Sequence, residues 1–487
     1  MTQQNLLFIM SDEHNPKMMG CAGHAIVRTP TLDSLSSRGT RFSSAYTNSP
    51  ICAPARAAIA TGRYVHDTRY WDNSIVYDGR IESWGHRLQK AGIRVESIGK
   101  LHFRASADPT GFDRQHIPMH IKDSIGMVQG LIRGQFPDYR PQPKAGPSPI
   151  VSKAGPGETS YIKYDRLIAN RACEWLRDAG RRVDDRPWAL FVSFVSPHYP
   201  LVVPQQYLDL YPIDKVPLPK LDPSRGFVPH PWYERMVRMQ TGPDVTEEMK
   251  RRAIAAYLGL CTFMDEQVGR VLAALKTSGL EDQTQIIYTS DHGENAGSRG
   301  LWGKSVMYEE SNGIPLIIAG PDVRAGHVVD TPVSLVDVFP TVLDVFGLPA
   351  ESALPGRSWY EIAAQATDPG REIISEYHSM GSPSALYMLR KGRYKLHYYV
   401  GYEPELFDLV EDPEETTNLA TDGAHKHARE ACVTRLRAIL DPEKIDAEAK
   451  ADQKAFIERL GGLNRVLEMA SSGRNYTEVP PEVEAVL

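Results

Sequence analysis

Leu6-Leu7-Phe8-Ile9-Met10-Ser11-Asp12-Glu13-His14 decides the fold: an apolar run of buried-strand length stops abruptly in polar residues able to do chemistry. The pattern recurs. Val95-Glu96-Ser97-Ile98 ends in Gly99-Lys100-Leu101-His102, residues 189–195 end in Ser196-Pro197-His198, and Ile286-Ile287-Tyr288-Thr289 ends in Ser290-Asp291-His292-Gly293. Between these runs the apolar spacing predicts amphipathic helices over 31–38, 81–91, 164–179 and 246–278. Nearly continuous apolar strands alternating with helices imply an α/β fold, a parallel sheet covered on both faces. Ligands in such sheets bind outside the carboxyl ends of the strands, so all four polar clusters share one rim. A single Asp or His after a strand is more often a turn or helix cap; four together point to a site.

Farther out the alternation weakens. Residues 104–158 and 200–243 are rich in Gly, Pro or aromatics and read as long insertions over the rim, where they would shape a ligand pocket. After Pro349 the pattern fades, and Gln365-Ala366-Thr367-Asp368-Pro369-Gly370 reads as a linker. Strand patterns follow at 373–377, 385–390 and 394–400, then helical ones at 434–440 and 445–469. The expected division is 1–370 for the catalytic unit and 371–487 for a smaller α+β domain, with a peripheral tail from Ser471.

The composition is that of an ordinary globular protein: 41% of the 487 residues are hydrophobic and 24% charged. Lys and Arg total 55 against 61 Asp and Glu, a net charge of −6, which leaves no basic excess to hold a nucleic-acid backbone. No apolar run approaches the ~20 residues of a membrane helix. The N-terminus lacks a positive region before its apolar run, so a cytoplasmic protein without signal peptide is expected. Cys21, Cys52, Cys173, Cys261 and Cys432 are odd in number and scattered, suggesting neither a disulfide framework nor a zinc site.

Cysteine chemistry then rests on one residue, and Cys52-Ala53-Pro54-Ala55-Arg56-Ala57-Ala58-Ile59-Ala60-Thr61-Gly62-Arg63 singles it out. Pro54 among alanines places Cys52 near a helix N-terminus, where backbone N–H groups favour a nucleophile and an anionic substrate. Arg56, one turn on, has the planar donor fork to brace either. An inert buried thiol is the other reading these features allow.

The pattern Cys-x-Pro-x-Arg, a short helix and Thr-Gly-Arg resembles the signature of formylglycine-dependent sulfatases, members of the alkaline-phosphatase superfamily. Asp12, Thr29-Pro30-Thr31-Leu32-Asp33, Gly99-Lys100-Leu101-His102, Pro197-His198, Ser290-Asp291-His292-Gly293 and Gly303-Lys304 fall in that family's order. Leu406-Phe407-Asp408-Leu409, Asp412-Pro413-Glu414-Glu415 and Asn418-Leu419 look like its C-terminal domain, so nearly the whole chain is covered. Cys-Ala-Pro-Ala-Arg-Ala, Trp71-Asp72-Asn73 and Gly300-Leu301-Trp302-Gly303-Lys304 look most like bacterial choline sulfatases and phosphonate monoester hydrolases. The resemblance implies an alkaline-phosphatase-like mixed, mostly parallel sheet flanked by helices, with a smaller C-terminal α+β domain.

It also implies a function and roles. Cys52 is oxidised by a separate formylglycine-generating enzyme; one hydroxyl of the hydrated aldehyde attacks sulfur and the other expels sulfate by re-forming the aldehyde. His102 is the base for that collapse, and Arg56 and Lys100 hold the hydrate. Asp12, Glu13, Asp291 and His292 bind a divalent metal with the modified Cys52, calcium first and manganese next. Glu13 departs from the family, which usually carries Asp, Asn or Gln there, and Ala55 replaces a more common serine. His198 and Lys304 flank the leaving-group oxygen, and Asn73 binds a sulfate oxygen. Glu294, Lys163, Trp71, Trp232 and Trp302 are left outside the site. A homo-oligomer is implied, with no nucleic-acid or membrane partner.

The first expectation is hydrolysis of a small soluble sulfate ester; the tail, with Tyr476 its only aromatic, lacks the aromatic-rich extension of choline sulfatases and argues against choline as the alcohol. Hydrolysis of phosphonate monoesters or phosphodiesters at the same site is the alternative, since these also carry one negative charge on a tetrahedral centre. A non-catalytic anion-binding protein is the reading from another class.

Overall fold

The structure, a computed structural model, describes residues 4–136, 146–182, 186–234, 236–237, 242, 244–471 and 477–484. The main-sheet strands are β1 (Asn5–Asp12), β2 (Thr40–Phe42), β3 (Arg94–Lys100), β4 (Arg114–Met119), β5 (Trp188–Pro197), β6 (Thr284–Ser290), β7 (Leu316–Ala319) and β8 (His327–Val329). Their order is β8-β2-β7-β6-β1-β5-β3-β4. Every pairing is parallel except those of β7, which runs antiparallel to both β6 and β2. The sheet is mixed and mostly parallel, and the four polar clusters lie at the carboxyl ends of β1, β3, β5 and β6.

Both faces are covered, as the apolar strands require. Successive strand side chains point to opposite faces. Leu6, Phe8 and Met10 of β1 pack with helices α2 (Cys52–Thr61), α3 (Trp84–Lys90) and α6 (Val338–Val345). Leu7 and Ile9 pack on the other side with α1 (Pro30–Ser37), α4 (Ser160–Ala179) and α5 (Glu247–Thr277). The four expected helices are all present. Trp302 lies in the core beside α5, Trp232 is buried with Tyr233, and Trp71 packs against His378, so these tryptophans are packing residues.

Residues 365–372 carry neither helix nor strand, and a four-stranded antiparallel sheet follows: β9 (Ile373–Tyr377), β10 (Leu386–Lys391), β11 (Tyr394–Tyr399) and β12 (Glu405–Asp408). The helical stretch expected at 445–469 is two helices, Pro442–Arg459 and Leu463–Ser471, interrupted by Gly461 and Gly462, both with positive φ.

Two sequence expectations are corrected. Residues 104–158 contain edge strand β4, which their weak periodicity does not signal; its half-buried, polar face lacks a strand alternation. The described part of the tail, 477–484, is not peripheral: Val479 and Val483 are buried against β4 and α4, and Tyr476 lies outside the described residues.

Candidate active site

Local irregularities aim the site residues. The ladder between β1 and β5 slips between Met10 and Asp12, and that between β3 and β4 slips between Ile98 and Lys100. Such bulges turn the following side chains out of the pleat. At the second, Gly99 has φ +99°, and a Cβ there would stand 2.2 Å from the Ser193 carbonyl, so only glycine brings the strands this close. Glu13 and His102, just past their strands, both adopt left-handed backbone (φ 68° and 58°), a conformation non-glycine residues keep chiefly where the surroundings impose it.

Cys52 is the first residue of α2, whose other end closes on left-handed Gly62. Its Sγ lies 3.2 Å from His292 Nε2 and 3.7 Å from Asp12 Oδ1. Burial, and then Asp12, push the thiol up to about 12. Arg56, one turn on, is 2% exposed and ties the centre together. Its Nε donates to Asp291 Oδ2 at 2.8 Å, one terminal nitrogen to Asp12 Oδ2 at 2.9 Å, and the other to the Lys100 carbonyl at 2.6 Å and Ser193 Oγ at 3.1 Å. Lys100 Nζ adds a second cation 2.6 Å from Asp12 Oδ2. Burial alone would raise the Asp12 pKa, but Lys100, His198, Arg56 and Lys304 outweigh it and hold the carboxyl well below the usual carboxylate range.

The two aspartates share a division of labour: Oδ2 meets the cations, while Oδ1 of each lies 3.7–3.9 Å from His292 Nε2. His292 Nδ1 is 3.0 Å from the Gly293 carbonyl. It can only donate there, so Nε2 presents a lone pair. The ligand atoms of Asp12, Cys52, Asp291 and His292 all lie within 4.8 Å of one another and all four residues are buried. Two inward carboxylate oxygens and an imidazole lone pair are a donor set that fits a divalent cation.

Glu13 stands beside that cluster, grouped with Asp12 and His198. Its Oε2 accepts from Lys304 Nζ at 2.8 Å, and its Oε1 is buried without a hydrogen-bond partner among the described residues. His198 Nδ1 is 2.5 Å from the Tyr199 carbonyl and its Nε2 is 2.7 Å from Lys304 Nζ. The carbonyl can only accept, so Nδ1 donates and Nε2 receives the ammonium proton. Lys304 also lies over the Tyr199 ring, 5.0 Å from its centroid. Asn73 Oδ1 accepts from the Ala53 amide at 3.0 Å, so its Nδ2, 3.9 Å from Met127 Sδ, keeps donor capacity beside α2.

Asp12, Glu13, Cys52, Arg56, Asn73, Lys100, His198, Asp291, His292 and Lys304 thus gather at one rim. His102 stands on the turn after β3, in the field of Lys100 and Arg56, and its ring bonds to Thr477. Glu294 is occupied with the backbone N–H groups of Ala296 and Gly303, a structural task. Sequence reading missed Ser193, Tyr199 and Thr477. Ser193, a polar residue inside the apolar run 189–195, carried a signal; Thr477 carried none.

Residues 4–348 match the sulfatase family, and residues 297–441 match the N-sulphoglucosamine sulphohydrolase C-terminal family. The chain is 33% identical over 481 residues to a choline-sulfatase of Rhizobium meliloti (strain 1021), covering 92% of this chain and 89% of that one. It is 29% identical over 503 residues to arylsulfatase K of Bos taurus, covering 98% and 87%. Among solved structures, a phosphonate monoester hydrolase from Silicibacter pomeroyi superposes with TM-score 0.73 at 25% identity, covering 90% of this chain and 95% of that one. With a family match over most of its length, a relative at this identity spanning nearly all of it, and the alkaline-phosphatase-like sheet beneath, the chain belongs to the sulfatase family of sulfuric ester hydrolases.

Proposed function

We propose that this chain hydrolyses a small, soluble sulfate monoester to an alcohol and inorganic sulfate, with Cys52 converted by a formylglycine-generating enzyme and a divalent cation held by Asp12, Asp291 and His292. One observation carries the reading: Cys52 at a helix N-terminus faces two inward carboxylate oxygens and an imidazole lone pair, with Lys304 and His198 beside them. Calcium suits the oxygen donors, and the His292 imidazole also admits manganese.

When bound, the cation supplies charge neutralisation and lowers the pKa of the attacking hydroxyl. The aldehyde hydrate supplies two hydroxyls on one carbon, one to attack and one to release sulfate as the aldehyde re-forms. The remaining roles belong to this chain's own side chains. Arg56 orients Asp12 and Asp291, and Lys100 adds a second cation that keeps Asp12 ionised. Asn73 Nδ2 donates to a sulfate oxygen, and the α2 N-terminus adds its positive end. The Lys304 ammonium supplies positive charge, and the proton needed, where the leaving oxygen becomes anionic, and His198 Nε2, accepting another of its N–H bonds, orients it beside that oxygen. His102 is the base that takes the proton of the second hydroxyl.

Part of the first insertion packs beside the N-terminal end of α2: Ile121 packs with Ala53 and Val76, and the Met127 amide donates to the Asn73 carbonyl. The likeness to a phosphonate monoester hydrolase favours a second reading, phosphonate monoester or phosphodiester hydrolysis by the same centre. The test is to co-express the chain with a formylglycine-generating enzyme, weigh the peptide containing residue 52 and measure bound metal. Thiol-to-aldehyde exchange with about one cation per chain is expected; an unmodified, metal-free but active protein would overturn the mechanism.

A further inference from the structure

Residues 477–484 come back to the rim of the sheet. Val479 and Val483 are buried with Met119, Tyr161, Tyr164 and Ile168, and Glu478 pairs with Lys122 at 2.6 Å. The Tyr161 hydroxyl donates to the Thr477 carbonyl, fixing the residue from the α4 side. These anchors set the Thr477 hydroxyl 2.8 Å from Nε2 of His102.

His102 is held with equal care. Its amide donates to the Met119 carbonyl at 2.8 Å, its backbone is left-handed, and its ring is buried at 2% exposure. Nδ1 has no hydrogen-bond partner among the described residues. A neutral imidazole carries one N–H and one lone pair, and the bond made by one nitrogen decides which the other presents. Thr477 Oγ1 can accept a proton from Nε2, whereas an N–H at Nδ1 would be a buried donor with no acceptor, in the field of Lys100 and Arg56.

We propose that Thr477 is a positioning residue: by accepting the Nε2 proton it fixes the His102 tautomer in which Nδ1 bears the lone pair, so that the C-terminal segment readies the base from outside the catalytic sheet. This rests on the reading of His102 as the base. The step it serves is simple: Nδ1 takes the proton of the second hydroxyl, that oxygen's electrons re-form the carbonyl, and the bond to the sulfate oxygen breaks.

The experiment compares wild type, Thr477→Val, Thr477→Ser and His102→Gln as metal-loaded, converted enzymes, with ¹⁵N-histidine labelling to read ring nitrogens and aryl sulfate turnover to read kcat and KM. His102→Gln assigns the resonances. Wild type and Thr477→Ser should show a protonated Nε2 and an unprotonated Nδ1. Thr477→Val, the same shape without the hydroxyl, should show averaged tautomers and a kcat about tenfold lower at unchanged KM, with no further loss when combined with His102→Gln. A folded Thr477→Val with wild-type ring signals and kcat would overturn the proposal, as would wild-type signals showing the proton on Nδ1. Should the ring respond to Thr477→Val while His102→Gln keeps full turnover, the positioning stands and the reading of His102 as base fails.

Discussion

Replacing Arg56 by Met is the sharpest test of how the centre is held together. In the metal-free protein, among the described residues, the guanidinium is the Lys or Arg side chain in hydrogen-bond contact with Asp291, and with Lys100 one of two on Asp12. It also satisfies the Lys100 carbonyl and Ser193 Oγ. All of this is buried, so Met fills the space and leaves a carboxylate stripped of its counter-charge. Removing one partner from a buried pair costs about 3–5 kcal/mol, most of it for the charge left behind. Arg56→Lys keeps the charge on a shorter reach without the fork, and is expected to recover about half of that loss. Equilibrium urea denaturation followed by tryptophan fluorescence, with chelator present so that no cation masks the effect, measures both variants. A loss below about 1 kcal/mol for Arg56→Met would refute the reasoning, because it would mean that the carboxylates find other partners or protonate at little cost.

Away from the centre, burial lowers and then Glu376 raises the His66 pKa, for a net rise from 6.5 to about 9. The pair is close, 2.8 Å, and Glu376 is itself held low by His66 and His378 against the burial that would raise it. A raised histidine stabilises fully below its unfolded value and loses the contribution as pH climbs through its folded one. Wild type should therefore exceed His66→Ala by about 3 kcal/mol at pH 6, with the gap closing between pH 6.5 and 9; a pH-independent gap in urea titrations would contradict this. Lys304→Met should lower kcat/KM about 100-fold on alkyl sulfates but under about tenfold on nitrophenyl sulfate, whose leaving oxygen needs little help. Equal losses on both substrates would remove Lys304 from the leaving-group side. Asp291→Asn should abolish metal retention in elemental analysis while the fold survives by circular dichroism; full metal content in this variant would place the cation elsewhere.

The catalytic sheet was legible because buried parallel strands write continuous apolar runs, and the site because each run breaks into polar residues at the same end. Direction was not legible: Leu316–Ala319 reads like any buried strand, yet β7 is the antiparallel one. Edge strand β4 was hidden because its sequence Arg-Gln-His-Ile-Pro-Met serves a half-exposed position and carries no period-two signal. Glu13 was placed among the metal ligands by the family resemblance; the structure groups it with Asp12 and His198 and also pairs it with Lys304, a contact between residues far apart in sequence that no local pattern encodes. Thr477 is the extreme case, a polar residue in a short tail whose importance comes only from where Val479 and Val483 anchor the chain.

The central claim is that a group made from Cys52 attacks a sulfate ester. It is tested most directly by turnover of nitrophenyl sulfate and a nitrophenyl phosphonate monoester by the converted, metal-loaded protein and its Cys52→Ala variant. The shared leaving group isolates the head group. Faster sulfate turnover that disappears in Cys52→Ala is the predicted result; a strong phosphonate preference, or sulfate turnover that survives the substitution, would contradict the account.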